Sequence, residues 1–180
     1  MSIIAGKPKQ GFDRELPTED QHVAVLTGVW DLGTRSKTWQ GETKDVHEVM
    51  MCFEVDQKLS KGEFIGKNMC VYFRVKLSLH EKAKLRKAVE AIRSKALEES
   101  ELETFDIESL IGMPCLADIK YTKSPDGVVY ANINQISKLP KQLTAFEPDH
   151  IYSNGETPDW IKKIQDTAID TDSDGNIDVD

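Results

Sequence analysis

The chain has 180 residues, 39% of them hydrophobic and 30% charged, with a net charge of −8. That length supports a core of its own without staples, the three cysteines (Cys52, Cys70, Cys115) fall singly inside apolar stretches, and no run of about 18 apolar residues offers a membrane span. The composition excludes a disulfide scaffold, a zinc-ribbon pattern and a helical membrane protein. With no apolar signal segment at the N-terminus, a reducing cytoplasm is the expected compartment.

The charge is unevenly spread. Residues 156–180 carry eight carboxylates against two lysines, whereas residues 58–95 carry eleven bases against three acids, a balance of +8. Six acids and no base follow in 98–108. A basic middle joined to an acidic end points to contact with a polyanion.

In chain order, residues 1–20 hold Gly6, Pro8, Gly11 and Pro17 and read as an extended N-terminal arm. Residues 22–32 are β-rich, and Gly28 inside them marks a bulge or bend. Residues 33–45 read as a loop. Over 46–56 the residues alternate, with His47, Val49, Met51, Phe53 and Val55 on one face and Glu48, Met50, Cys52 and Glu54 on the other. Residues 67–76 alternate too. Met69, Val71, Phe73 and Val75 form an apolar row, and Asn68, Cys70, Tyr72, Arg74 and Lys76 a polar, basic one.

The period then changes from two to 3.6. Ser78 and Glu81 have the spacing of a capping box, and Leu85, Ala88, Val89, Ile92 and Ala96 follow as a helical stripe. Asp106 is placed to cap a short helix that Gly112 and Pro114 stop. Residues 115–121 and 128–136 are two strands around a turn at Pro125-Asp126-Gly127. Pro158-Asp159-Trp160 opens a last short helix, and the end is acidic.

The order β-β-β-α-β-β predicts a mainly β protein with one or two helices. It is the layout of a five-stranded OB-fold barrel with a helix between strands three and four, against a split α+β sheet as rival. The expected organisation is an arm over 1–20, an OB-fold domain over 21–140, a C-terminal extension with a short helix over 141–165, and a disordered acidic tail over 166–180.

No catalytic constellation is visible. His22, His47, His80 and His150 are scattered outside metal-ligand spacing, and neither a G-x-S-x-G elbow nor a phosphate loop occurs. No enzyme, cofactor or metal is expected. Asp170, Asp172, Asp174, Gly175 and Asp178 match part of a calcium loop, but its twelfth position falls past Asp180, so the acidic-tail reading is preferred.

Sequence-independent binding of a single strand needs cations that track phosphates and aromatic faces on which bases stack. Tyr72 shares a strand face with Arg74 and Lys76. The stretch read as the first loop adds Arg35, Lys37, Trp39 and Lys44, and the fourth and fifth strands add Lys120, Lys123 and Tyr130. Trp30, Phe53 and Phe73 read as core. The tail residues Asp170, Asp172, Asp174, Ile177, Asp178, Val179 and Asp180 form a candidate partner-binding segment that also competes with nucleic acid for the basic surface.

Trp30-Asp31-Leu32-Gly33-Thr34, Trp39-Gln40-Gly41-Glu42-Thr43-Lys44, the basic run 77–87, Leu110-Ile111-Gly112-Met113-Pro114-Cys115, Tyr130-Ala131-Asn132-Ile133 and Pro158-Asp159-Trp160 carry a resemblance over roughly residues 5–165. Together they resemble bacteriophage single-stranded DNA-binding proteins of OB-fold type with acidic C-terminal tails. The resemblance implies an accessory of phage replication or recombination in the cytoplasm of an infected bacterium. Such a protein coats single strands and docks phage replication or recombination proteins through its tail. No membrane partner is expected, and a homodimer stays open. The alternative is an acidic interaction module, such as a nucleic-acid-mimicking inhibitor of a host enzyme.

Overall fold

The computed structural model describes residues 14–169. Five strands and two helices follow as β1 (Gln21–Trp39), β2 (Glu42–Lys58), β3 (Asn68–Lys76), α1 (Lys84–Arg93), β4 (Pro114–Lys123), β5 (Val129–Ser137) and α2 (Asp159–Gln165). All strand neighbours run antiparallel, in the order β3-β2-β1-β4-β5. The protein is therefore mainly β, with a five-stranded antiparallel sheet and two helices. Among the described residues, no helix is long and apolar enough to cross a membrane.

β1 is central because it serves two partners. Gln21 to Val25 pair with β4, and Ala24 to Trp39 pair with β2. Its register slips twice, between Leu26 and Gly28 and between Asp31 and Gly33. Each slip inserts one residue and turns the following side chains to the other face. Ala24 and Leu26 point into the main core, whereas Trp30 and Leu32 belong to a second cluster on the opposite face. The carbonyls of the two inserted residues are both paired. Thr27 O accepts the Tyr152 N–H at 2.9 Å, and Leu32 O accepts an Arg35 N–H at 3.0 Å.

Gly28 is required at its bulge. A Cβ there would stand 2.5 Å from the Trp30 ring and 2.9 Å from Tyr152. The bulge expected at this glycine is present.

The main core lies between the inner face of the sheet and α1. Phe53, Met51, Val71, Val75, Ile119, Ile133 and Ile136 meet Leu85, Val89 and Ile92 there. β3 and β5 sit at opposite ends of the sheet order yet approach one another around this core. The apolar rows expected on β2 and β3 are the ones that enter it.

Two local expectations need correction. Residues 33–45 are not a loop. β1 and β2 continue as a two-stranded ribbon to a turn at Gln40 and Gly41, both with positive φ, as a two-residue hairpin turn requires. The capping box at Ser78 and Glu81 does not form either. Ala83 N–H bonds back to His80 O in a further turn, α1 begins only at Lys84 with no side-chain cap, and Ser78 Oγ accepts from His80 N instead. A reciprocal capping box occurs at Glu98 and Glu101. Asp106 does cap its short 3-10 turn, accepting the Glu108 N–H at 3.0 Å.

The second face of the sheet is covered by the C-terminal extension. Glu54, buried on β2, accepts from the Asp149 and His150 N–H groups at 2.7 and 2.9 Å and from Asn68 Nδ2 at 3.0 Å. Trp30 Nε1–H donates to Glu156 O at 3.0 Å and its ring meets Tyr152 edge-on. α2 then lays Ile161 into the cluster of Trp30, Leu32, Met50 and Cys52. Residues 166–169, expected to begin the tail, also contact β1, because Ile169 N–H bonds Thr34 O at 2.8 Å. The tail candidates from Asp170 to Asp180 lie outside the described residues.

Ile161 is fully buried, so Ile161→Ala removes packing that cannot be replaced locally. The substitution should lower stability by about 2–4 kcal/mol, read as a shifted midpoint in urea unfolding.

Candidate nucleic-acid interface

On the outer face of β3 the alternation places Cys70, Tyr72, Arg74 and Lys76 side by side. On β5 the same outer face carries Tyr130, Asn132 and Asn134. A groove of about 390 Å³ opens where these two rows face each other. Tyr72, Arg74, Tyr130 and Asn132 line it, joined by Trp160 of α2 and by Arg14. Tyr72 is half-buried, with Trp160 edge-on to it at a centroid distance of 4.7 Å. Burial pushes the Tyr72 hydroxyl far above its ordinary range. Tyr130 is 47% exposed and offers a freer ring.

One carboxylate organises the cations beside the groove. Glu48 is only 3% exposed. It accepts from Arg74 Nε and Nη2 at 3.0 and 2.8 Å and from Lys37 Nζ, and Arg35 Nη1 lies 4.0 Å away. Burial pushes the Glu48 carboxyl up, but hydrogen bonds from Lys37 and Arg74 outweigh it and hold the group below the usual glutamate range. Two outward-facing cations, Lys37 and Arg74, on one carboxylate leave a local excess of one positive charge on this face.

The structure sorts the predicted residues into three sets. Tyr72, Arg74 and Tyr130 share the groove, and Lys120 stands next to it, opposite Asn132 in the β4–β5 ladder. Lys37, Trp39 and Lys44 lie on the β1–β2 ribbon. Lys37 and Lys44 face each other across it, Lys44 pairs with Glu42 at 3.1 Å, and Trp39 at the tip is 77% exposed. Lys76, opposite Glu48, joins the ribbon to the groove.

Two residues are not brought into either surface. Lys123 pairs with Val129, one step from Tyr130, and so points to the other face. Arg35 is drawn inward. It donates to Leu32 O, to Ile164 O and to Thr167 Oγ1, which fastens the end of α2 to β1.

Sequence reasoning passed over Trp160, Arg14 and Glu48. Glu48 had a usable signal, since the alternation set it opposite the basic row of β3. Trp160 and Arg14 reach the groove only through long-range packing.

A second cavity of about 400 Å³ lies away from the groove, lined by Trp30 and Tyr152 and rimmed by Asp31, Glu108 and Glu156. Burial pushes the Tyr152 hydroxyl up to about 12. The three cysteines are free, and among the described residues no cluster of His, Cys, Asp and Glu could hold a metal ion. Comparison with protein-family models and with curated proteins returns no match to this chain.

Glu48→Gln should cost about 2–3 kcal/mol. That is less than a fully buried pair would lose, because Lys37 and Arg74 keep solvent access. The Glu48 contribution is present in full above the ordinary glutamate value of about 4.3 and is lost as pH falls through the depressed folded value. Below about pH 4.5 the stability of the wild type should therefore fall more steeply than that of the variant, as urea titrations across pH will show.

Proposed function

We propose that the protein binds single-stranded DNA with little sequence preference, on an OB-fold whose barrel is completed where β3 meets β5. The carrying observation is the groove itself, where aromatic rings of Tyr72, Tyr130 and Trp160 stand beside the cations Arg74 and Arg14. Stacking faces interleaved with cations are what an unselective single-strand site requires. The sheet order, with α1 inserted between β3 and β4, fits an OB-fold. In that fold, oligonucleotides lie across this face between the β1–β2 and β4–β5 connections. Here those connections are the ribbon with Trp39 and the hairpin leading to Tyr130.

Within this class, the reading is a phage replication or recombination accessory, acting inside an infected bacterium and requiring no catalysis. Arg74, Lys37, Lys76, Lys44 and Lys120 contact phosphates, while Trp39, Tyr130 and Trp160 stack on bases, with Tyr72 as the floor. Arg35 positions the C-terminal segment instead of meeting DNA. The acidic tail restrains binding and docks partner proteins. Its root at Ile169 is bonded to Thr34, next to Arg35 and close to Lys37, so its effective concentration near these cations is on the order of millimolar.

Fluorescence anisotropy with a labelled 30-mer tests the reading. Single-stranded DNA should bind more tightly than duplex, and affinity should fall steeply with salt as counterions are released. Trp39→Ala and Trp160→Ala should each weaken binding by roughly 1–3 kcal/mol. Equal affinity for duplex, or indifference to salt, overturns it. The acidic cavity at Asp31, Glu108 and Glu156 favours a second reading, an interaction module for a basic partner, and that reading expects no single-strand binding at all.

Truncation after Ile169 spares the contacts of Gln165, Thr167 and Ile169 with β1. It should tighten single-strand binding, most at low salt, and leave the Tm unchanged. Unaltered affinity across a salt series counts against the restraint.

A further inference from the structure

Residues 76–87 carry Lys76, Lys82, Lys84, Arg86 and Lys87 against Glu81 alone. Of these cations only Arg86 is engaged inside the protein, by Glu90 at 3.0 Å and by Leu79 O at 3.3 Å. Lys76, Lys82, Lys84 and Lys87 are exposed, and none of the four pairs with a carboxylate among the described residues. The acids that follow α1 serve its other end, where Arg93 bonds Glu101 at 3.1 Å and Lys95 lies 3.9 Å from Glu98.

The lysines are poorly placed for the helix itself. α1 begins at Lys84 with no acid in its first turn. Cations there oppose the helix dipole, which favours carboxylates at an N-terminus. A solvated face needs polarity but neither sign of charge. The stability of α1 therefore does not account for lysines gathered around its start.

The patch continues the groove. β3 and β5 run in the same direction, each two antiparallel steps from β1. The groove between them passes Tyr72 and Arg74 on one side and Tyr130 and Asn132 on the other. The next outward residue of β3 is Lys76. The chain then runs through 77–83 into α1, which packs against both strands. That connection is fixed by Leu77 N–H to His47 O at 2.7 Å and by Ala83 N–H to His80 O at 2.8 Å. α1 turns Leu85, Ala88, Val89 and Ile92 into the core, and Lys84 and Lys87 are exposed neighbours off that stripe. This end of the groove is the one beside Glu48 and Arg74, away from the Glu54 end that the C-terminal extension covers.

We propose that Lys82, Lys84 and Lys87 form a phosphate track that carries a single strand out of the groove past Lys76. The inference rests on the single-strand reading above and extends its footprint. The patch offers charge without an apolar anchor, since none of the exposed large apolar side chains lies within 76–96. Protein interfaces centre on aromatic and apolar anchors and are depleted in lysine, so a polyanion is the occupant that fits.

The test uses the full chain with oligothymidylates of about 4 and about 16 nucleotides, the limits of site size for one such domain. Affinity is read at about 0.15 M salt, where screening confines charge effects to about 8 Å, and the salt slope from a series around it. Lys84→Gln combined with Lys87→Gln should weaken binding of the 16-mer about tenfold and lower its salt slope by about 1.4, the share of two phosphate contacts on a single strand. The 4-mer, held in the groove by the aromatic rings, should bind as it does to the wild type. The Tm should stay level or rise, because the start of α1 loses opposing charge. Lys84→Arg combined with Lys87→Arg should keep wild-type affinity and slope.

Unchanged affinity and slope of the double Gln variant for the 16-mer overturn the track. An equal loss at both lengths overturns it too, since that is an effect of overall charge or of where the acidic tail sits. A loss accompanied by a lowered Tm assigns the lysines to the fold instead. If the wild type binds neither oligonucleotide, the single-strand reading itself fails, and that result is distinct from a defect confined to the two lysines.

Discussion

β1 hydrogen-bonds to two strands, and along its 19 residues the even-numbered side chains change from one face of the sheet to the other, which a regular strand cannot do. The bulge at Thr27 resolves this. Up to Leu26 the strand feeds the core under α1, and after it Trp30 and Leu32 feed the opposite face. The released carbonyl of Thr27 then needs a donor, and Tyr152 of the C-terminal extension provides it. Gly28 leaves the room that Trp30 and Tyr152 need to meet. One inserted residue thus explains why the sheet has a second apolar cluster and why a distant segment must come back to cover it.

Two buried carboxylates on β2 divide that second face. A buried carboxylate is costly unless several partners offset its lost hydration. Glu54 finds backbone N–H groups of Asp149 and His150 together with Asn68, and so fixes the covering segment. Glu48, six residues earlier, finds Lys37 and Arg74, and so fixes cations. Between them the face carries only Met50 and Cys52, the apolar floor on which α2 rests. One end of the face is neutral and closed while the other is positive and open. The difference follows from which partners each glutamate has.

The parts of this arrangement legible in the sequence are those with one apolar face and one polar face. β2 and β3 show their alternation because Phe53, Val71 and Phe73 enter the apolar core, while the opposite face carries Glu48 and Arg74, which pair with each other. α1 shows a clean stripe at Leu85, Val89 and Ile92 for the same reason. The ribbon of residues 35–46 has no such contrast. Both its faces are solvated, so Lys37, Trp39, Thr43 and Lys44 read as loop although their backbones pair in register. The Ser78 and Glu81 spacing misled because a capping box also needs the helix to start at once, and an extra turn intervenes at His80 to Ala83. Tyr72, Arg74 and Tyr130 could be placed on strand faces, but the groove depends on β3 approaching β5 and on Trp160 arriving from 88 positions away in the chain.

Covering the face with α2 has a consequence for any ligand. Trp160 stands edge-on to Tyr72, so the most basic strand face is narrowed to a strip bounded by an aromatic wall. Arg35 fastens the end of α2 through Ile164 O and Thr167 while lying 4.0 Å from Glu48. One guanidinium therefore stands between the end of α2 and the carboxylate that holds Lys37 and Arg74. The C-terminal extension is thus part of the electrostatics of this surface as well as its cover, and a substitution at Arg35 reaches the groove without touching anything bound in it.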